Sequence, residues 1–179
     1  MIESIRERRS VRSFSDDGVE EKKIEEILTA AAFSPSARAL YPWSITVVEN
    51  PEKREVISKA TPYADFAAEA PVVFVVASKE EGEWIEDASI VAEHIQLEAT
   101  NQGLGACWIQ IRDHKTEDDK QSEEKIKDLL EIPEDYRVLC AIAIGHPKKQ
   151  KQPHTKKELQ KREIYRKKHG NKPKKQNKK

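Results

Sequence analysis

The sequence predicts an α+β fold in three layers, with a mixed sheet lying between helices on its two faces. Apolar, β-branched runs alternate along the chain with segments whose apolar residues recur at helical spacing. One run, APVVFVVAS at 70–78, is apolar throughout, which is typical of a central strand covered on both faces. The connections after Asn50 and Ile111 are irregular, so the sheet need not be parallel. A chain of 179 residues is long enough for one domain with a sizeable core.

Each predicted element has a local signal. Pro51 suits the first turn of a helix, and Ser122 is a residue type that caps helix starts. Gly103 ends the longest helix, and the prolines of SPSARALYP interrupt the chain between a helix and a strand. The predicted helices are 2–9, 20–32, 51–59, 84–102 and 122–132, with a weaker one at 155–168. The predicted strands are 43–50, 70–78, 106–111 and 136–147.

The helix predicted at 84–102 is apolar on more than one face. Trp84, Ala88, Val91, Ile95 and Ala99 form one stripe, and Ile85, Ile90 and Leu97 spread outside it. A helix that is apolar on several faces is usually buried more than once. We therefore expect it to pack on its own core and against a partner.

The charge of the chain is balanced overall but unevenly distributed. Residues 148–179 contain 15 basic and two acidic residues, so 1–147 contain 17 basic and 30 acidic ones. We expect one domain at 1–165 and a basic, disordered tail at 166–179, because the tail has little apolar surface to bury. The chain has no apolar run of the roughly 18 residues that a membrane span requires, and residues 1–10 have no signal-peptide core. Cys107 and Cys140 form no CxxC motif and are interpreted as reduced core thiols of a cytoplasmic protein.

Most familiar catalytic motifs are absent from the sequence. It contains no GxGxxG, no P-loop, no GxSxG elbow and no Cys/His set with zinc spacing. Glu86 and Asp87 are adjacent on a predicted helix, so they point in different directions and do not form an acid/base pair. His94 is interpreted as a surface or interface residue. These observations disfavour a hydrolase and a metal site.

The segment RERRSVRSF at 6–14 concentrates four arginines in seven positions, within an otherwise acidic region. One interpretation is a solvated helix end, where cations interact favourably with the last turn. The other is an anion site, because the planar guanidinium fork and serine hydroxyls suit phosphate oxygens. The second interpretation gains support from the loop segment SPSAR at 34–38, which offers further hydroxyl and arginine donors.

Four motifs occur in one order: RRSVRSF, SPSARALYPWSITVVEN, DASIVAEHIQLEATNQGLGACWI and AIAIGHP. In this order and spacing they resemble the FMN-dependent nitroreductase family, over about residues 2–160. The resemblance implies a nitroreductase-like three-layer α/β/α sandwich with a mostly antiparallel sheet. It also implies a homodimer with FMN at the subunit interface.

The resemblance assigns cofactor-binding roles to several segments. The first motif would hold the FMN phosphate and the polar end of the flavin, the second would reach the flavin from the other subunit, and the strand after Gly105 would lie against the flavin's reactive edge. A basic residue after the last strand would complete the phosphate site, best matched by Lys156, with Lys157 as an alternative. The remaining expected cofactor residues are Arg8, Arg9, Ser10, Arg12, Pro35, Ser36, Ala37, Arg38, Ile109 and Gln110.

The chain departs from the family pattern at three places. Ala39 and Tyr41 stand where relatives often have Asn and Gln, which removes polar contacts to flavin or substrate. A lysine at 156 replaces a frequent arginine and would bind phosphate as a point charge. The segment between Ala77 and Asp87 is short, whereas larger relatives carry an extra substrate-covering stretch in the middle of the chain. Trp84 in this segment is therefore open to two interpretations, a cover for the flavin face or a core residue.

The resemblance implies a cytoplasmic oxidoreductase that takes hydride from NADH or NADPH onto FMN. The reduced flavin would then pass electrons to a nitroaromatic, quinone or similar acceptor by a ping-pong mechanism. The flavin carries the chemistry, so no catalytic side chain and no metal are expected. Two alternatives are a flavin-binding protein without turnover and a nucleic-acid-binding protein that acts through its basic tail. The latter is disfavoured because the tail offers a single aromatic residue, Tyr165, for base stacking.

Overall fold

The computed structural model describes residues 1–116, 121–159, 163–165 and 167–170. The helices are α1 (Glu3–Glu7), α2 (Glu21–Ala32), α3 (Pro51–Ser58), α4 (Phe66–Glu69), α5 (Trp84–Asn101), α6 (Ser122–Leu130) and α7 (Lys156–Leu159), with a 3₁₀ turn at Ala37–Ala39. The strands are β1 (Trp43–Val48), β2 (Val72–Lys79), β3 (Gly105–Gln110) and β4 (Tyr136–Gly145). Within the part of the chain that is described, no helix is long and apolar enough to cross a membrane.

The four strands form one sheet in the order β1-β2-β4-β3, and each neighbouring pair is antiparallel. The sequence predicted a mixed sheet. Among the residues described, the parallel pairing is an isolated bridge between Ser10 and Ala106. Strand β2 is buried from Val72 to Ser78, as its continuous apolar sequence predicts.

Helices cover both faces of the sheet and create two hydrophobic cores. Alternate residues of β2 enter opposite cores, because successive side chains of a strand point to opposite faces. Val73 and Val75 lie in one core with α3, α4 and α6, and Phe74 and Val76 lie in the other with α2 and α5. The predicted α+β, three-layer fold is therefore confirmed. Cys107 and Cys140 are buried and unpaired, as predicted.

Helix α5 is the longest helix of the structure and follows its predicted pattern closely. The predicted stripe is buried against the sheet and α2, whereas Ile90 remains exposed at 37 %. Trp84 is 7 % exposed and belongs to the core. The core interpretation of this tryptophan is therefore correct.

The other elements agree with prediction to within a few residues. Helix α4 was not predicted, because four residues are too few to show a helical period. The helix predicted at 155–168 is wrong in its second half: α7 covers Lys156–Leu159, residues 163–165, 167 and 168 are not helical, and residues 160–162 and 166 lie outside the described part of the chain. The predicted disorder of the tail falls largely on 171–179, which also lie outside it, so the division at 165 remains a prediction.

The segment 8–15 docks across the ends of β3 and β4. The Val11 amide donates to the Ala106 carbonyl at 3.0 Å, and the Ser15 amide donates to the His146 carbonyl at 2.8 Å. Gly105 permits the close approach, since a Cβ built there would lie 2.7 Å from the Cβ of Val11. Phe14, between these contacts, is fully buried. The arginine-rich segment is thus held at one edge of the sheet.

Candidate cofactor site

Three cations gather around the start of β3, and we refer to Arg8, Arg12 and Lys151 as the cationic cluster. Arg8 ends α1, and its Nε lies 3.8 Å from a carboxylate oxygen of Glu93. The Arg12 guanidinium lies 5.7 Å from the centre of the Phe66 ring. Among the residues described, Arg12 has no hydrogen bond or ion pair. The cluster therefore has positive charge that its neighbours compensate only weakly.

Lys151 and Ser10 bring this charge onto the sheet. The Lys151 ammonium donates to the Ser10 carbonyl, and Ser10 is bridged to Ala106 of β3. Burial raises the pKa of the Cys107 thiol in the same strand, and Arg12, a hydrogen bond from Ser10, Lys151 and Arg8 oppose the rise. The bond from Lys151 to Ser10 joins the lysine to the segment that contains Arg8 and Arg12 at the start of β3.

A cavity of about 390 Å³ lies beside the cluster. Arg9 and Lys151 contribute cations to its wall, and Thr100, Gly103 and Leu104 contribute the end of α5 and the turn after it. Glu7 also lines this cavity, and Lys151 is the member of the cationic cluster that reaches it.

Arg9 differs from its neighbours because the two donors on one edge of its guanidinium are already used. Its Nε donates to the Gln152 carbonyl at 2.9 Å, and its Nη2 donates to Glu158 at 3.1 Å. Hydrogen bonding from His154, with smaller contributions from the Thr155 amide and Arg9, lowers the pKa of Glu158 to about 2. This carboxylate is thus ionised at neutral pH, and its stabilising contact with Arg9 is lost only as pH falls toward 2.

The second predicted segment, Pro35–Arg38, is organised by a buried carboxylate. Asp87, in the first turn of α5, accepts from the Ser36 hydroxyl at 2.6 Å and from the Ala37 amide at 3.0 Å. The Ser36 Oγ in turn accepts from the Tyr41 amide at 2.9 Å. Arg38 is exposed and pairs loosely with Glu83 at 3.4 Å.

The same loop stores backbone strain. Arg38, Ala39 and Tyr41 have φ values of 54°, 54° and 50°, in the left-handed region that side chains disfavour. Asn tolerates this region, which gives a physical reason for Asn at the position that Ala39 occupies here. The cost is roughly 1–2 kcal/mol per residue, so contacts such as those of Asp87 are needed to hold the loop.

The structure brings the predicted site residues together in two separate groups. Thr100 lines the cavity of about 390 Å³ described above, and Asp87 holds the loop. These two residues are 13 positions apart on α5. At about 1.5 Å per residue, this separates them by roughly 20 Å along the helix. One chain therefore does not bring the loop to this cavity, whereas Arg8 contacts Glu93 between the two.

The remaining predicted residues lie as follows. Ile109 is buried in β3. Gln110 is fixed by two hydrogen bonds, one from the Trp108 indole and one to the Arg112 carbonyl, each 3.0 Å. Lys156 lines a different cavity, next to α1. It is Lys151, which follows the end of β4 more closely than Lys156 does, that bonds to the Ser10 carbonyl beside β3.

Lys151, Asp87 and Glu158 are the residues that sequence reasoning missed. Lys151 has the same sequence signal as Lys156, a basic residue after the last strand, and only the path of the chain distinguishes the two. Asp87 sits in the first turn of a helix after a serine-containing loop, which is a weak signal for a long-range hydrogen bond. No sequence signal pairs Glu158 with Arg9.

The fold and the cationic cluster define a class, an α+β sandwich with a group of cations at one edge of its sheet. The family model described as "Nitroreductase family" matches this chain over residues 5–62 and 52–146. A protein of Methanothermobacter thermautotrophicus, provisionally named an NADH dehydrogenase/NAD(P)H nitroreductase, is 37% identical over 152 residues, which are 82% of this chain and 77% of that protein.

A solved structure from Clostridium difficile R20291, described as an FMN-dependent nitroreductase, superimposes with a TM-score of 0.85 and 36% identity. The match covers 89% of this chain and 94% of that one. A Bacillus subtilis protein named FMN reductase (NADPH) is 25% identical over 170 residues, which are 82% of this chain and 65% of that protein. The chain belongs to the nitroreductase family.

Replacing Asp87 should release the loop that it holds. Asp87→Ala leaves the Ser36 hydroxyl and the Ala37 amide without their acceptor, so we expect a loss of roughly 2–4 kcal/mol in stability. Urea unfolding at fixed protein concentration measures the change. Glu86→Ala, on the same turn but exposed, is the matched control and should stay within about 0.5 kcal/mol. Equal stability of the two variants would contradict the role given to Asp87.

Proposed function

We propose that this protein binds FMN at the cationic cluster, takes hydride from NADH or NADPH, and reduces a nitroaromatic, quinone or similar acceptor by a ping-pong mechanism. Membership of the nitroreductase family makes it an FMN-dependent oxidoreductase with NAD(P)H as donor. The observation that carries the proposal for this chain is the docking of the segment that contains Arg8 and Arg12 onto the start of β3, with Lys151 bonded to the Ser10 carbonyl of the same segment.

The donor set of the cluster fits a phosphate group. A phosphate dianion needs several charge-assisted donors, and guanidinium and ammonium groups supply the strongest of these. Arg12 is free of ion pairs among the described residues, Arg8 has only a distant carboxylate at 3.8 Å, and Lys151 bonds to a neutral carbonyl. In the proposed complex the Ser10 hydroxyl adds a donor, and Lys151 takes the role that the sequence gave to Lys156.

The described strand β3 provides a preorganised surface for the flavin ring. In our proposal the ring lies against Ile109 and Gln110. The Gln110 side chain is already fixed on both sides by Trp108 and Arg112, so it need not reorganise when the cofactor binds. When bound, the flavin supplies the hydride and electron transfer. The chain's own residues bind and orient it, and none is assigned an acid, base or nucleophile role.

We further propose a homodimer, in which the loop Pro35–Arg38 of one subunit approaches the cationic cluster of the other. Asp87, which holds the loop, and the cavity that Lys151 lines are at opposite ends of α5, so a second chain is the simplest way to bring a loop to that cavity. The surface also favours association, because Ile2, Phe33 and Ile90 are 67%, 80% and 37% exposed. The groove between α1, α2 and α5 that Ile2 lines also includes His94, in agreement with the interface interpretation of that residue. The cytoplasmic location remains a prediction from the sequence.

The proposed reaction can be tested directly with the purified protein. We expect bound or readily acquired FMN and steady oxidation of NADH or NADPH when a quinone or nitroaromatic is added. A ping-pong mechanism gives parallel lines when reciprocal rate is plotted against reciprocal donor concentration at several acceptor concentrations. Intersecting lines would contradict that mechanism. Tight FMN binding without turnover would support the binding-protein alternative, and no FMN uptake would contradict the proposal.

The dimer should depend on the exposed face of α5. Light scattering at low micromolar concentration should give the mass of two chains for the wild type. Ile90→Glu places a charge in the proposed interface and should shift the population to monomers. Tyr63→Glu is the control, because Tyr63 is 79% exposed and follows α3, which covers the opposite face of the sheet. A wild-type monomer that holds FMN would contradict the dimer and the role of the loop.

A further inference from the structure

Arg9 lies in the middle of the arginine-rich segment, yet its guanidinium serves the C-terminal part of the chain. Nε and Nη2 are two neighbouring donors of one edge of the planar group. They bond to the Gln152 carbonyl at 2.9 Å and to the Glu158 carboxylate at 3.1 Å. Gln152 directly follows Lys151, whose ammonium bonds to the carbonyl of Ser10. The contacts of Arg9 thus fix the backbone next to a member of the cationic cluster.

We propose that Arg9 is a positioning residue that holds segment 151–158 in place, so that Lys151 stays in the cationic cluster, and that it does not itself bind the phosphate. This inference rests on the proposed FMN site, and it reassigns a residue that the family resemblance places on the phosphate. Arg9 with Gln152 and Glu158 is called the Arg9 clamp below.

The geometry disfavours a direct phosphate role for Arg9. Bidentate recognition of an anion uses two neighbouring guanidinium donors, and the Nε–Nη2 edge of Arg9 is occupied. A phosphate on that edge would have to displace both a carbonyl and a carboxylate, and a phosphate on the remaining Nη1–Nη2 edge would share Nη2 with Glu158. The Glu158 carboxylate is ionised at neutral pH, so it would also repel a phosphate placed next to Arg9.

The segment is attached at several points around the clamp. The His154 amide donates to the Arg6 carbonyl at 2.8 Å, and the His154 ring bonds to Glu158. These contacts orient the carboxylate toward Arg9. The side chains of Arg9 and Glu158 are 28% and 36% exposed, so the pair adds little to global stability. The effect of the clamp should therefore be local, on the position of Lys151.

A double-mutant cycle separates positioning from direct contact. FMN is titrated into the apo forms of wild type, Arg9→Ala, Lys151→Ala and the double variant. Loss of the Lys151 contact should weaken FMN binding about 10- to 150-fold. If Arg9 acts through Lys151, Arg9→Ala weakens binding by no more than Lys151→Ala does, and the double variant is no weaker than Lys151→Ala alone. If the two single effects multiply in the double variant, Arg9 binds independently of Lys151 and the proposal is overturned.

Two further variants change charge and geometry separately. Arg9→Lys keeps the charge but removes the guanidinium fork, so the clamp predicts weakened binding, whereas near wild-type affinity would overturn it. Glu158→Gln weakens the clamp and should weaken binding, whereas tighter binding would show that Glu158 merely competes with phosphate for Arg9. Arg6→Ala is the matched control, since it removes a nearby arginine that is paired only with Glu3 and Glu7 among the residues described. It should change affinity less than about twofold.

Proteolysis tests the clamp without any cofactor, which keeps it separate from the proposed function. Trypsin should cut after Lys151 and Lys156 faster in apo Arg9→Ala than in apo wild type, as followed by mass spectrometry. Arg6→Ala should cut at the wild-type rate at the same sites. If Arg9→Ala is cleaved faster and the wild type binds no FMN, the role of the clamp in fixing segment 151–158 is supported and the FMN site is rejected. Unchanged cleavage in Arg9→Ala would overturn the clamp itself.

Discussion

The site depends on the docking of segment 8–15 onto the edge of the sheet. One backbone hydrogen bond, from Val11 to Ala106, and the side-chain packing that Gly105 permits fix this segment beside β3. Fully buried Phe14 anchors it between the two strands that end there. Because the arginines flank Val11, their guanidinium groups can extend from a rigid backbone and need little reorganisation to meet an anion. The position of the positive charge is therefore a consequence of hydrophobic packing.

The two parts of the proposed site, the cationic cluster and the loop at 35–41, depend on different interactions. The cationic cluster collects charges that nearby carboxylates compensate only weakly, so it is suited to a dianion. The loop at 35–41 has a strained backbone held by the carboxylate of Asp87, so it is suited to presenting a fixed shape. Within one chain, the length of α5 separates this loop from the cavity that Lys151 lines. The proposed homodimer brings a cluster and a loop together without changing either of them.

Much of this arrangement was accessible from the sequence. The apolar run of β2 and the stripe of α5 predicted their burial, because hydrophobic periodicity reflects which side is covered. The motif order identified the family, and with it the three-layer fold. The contacts between distant segments were not accessible from the sequence. No local pattern shows that Lys151, and not Lys156, bonds to Ser10. Nor does any local pattern show that Arg9 bonds to Glu158, which follows it by 149 positions. Such pairings depend on the path of segment 151–158 past α1, and hydrophobic periodicity does not predict that path.

The central claim, that the cationic cluster holds the phosphate of FMN, is tested most directly by comparing FMN with riboflavin, which has the same ring but no phosphate. Both are titrated into apo wild type, Arg8→Ala and Arg12→Ala. Losing one charge-assisted contact to phosphate should weaken FMN binding about 10- to 150-fold. Riboflavin should bind the wild type more weakly than FMN does, and its affinity should change far less in the variants. Equal weakening of both ligands, or wild-type FMN affinity in both variants, would contradict the account.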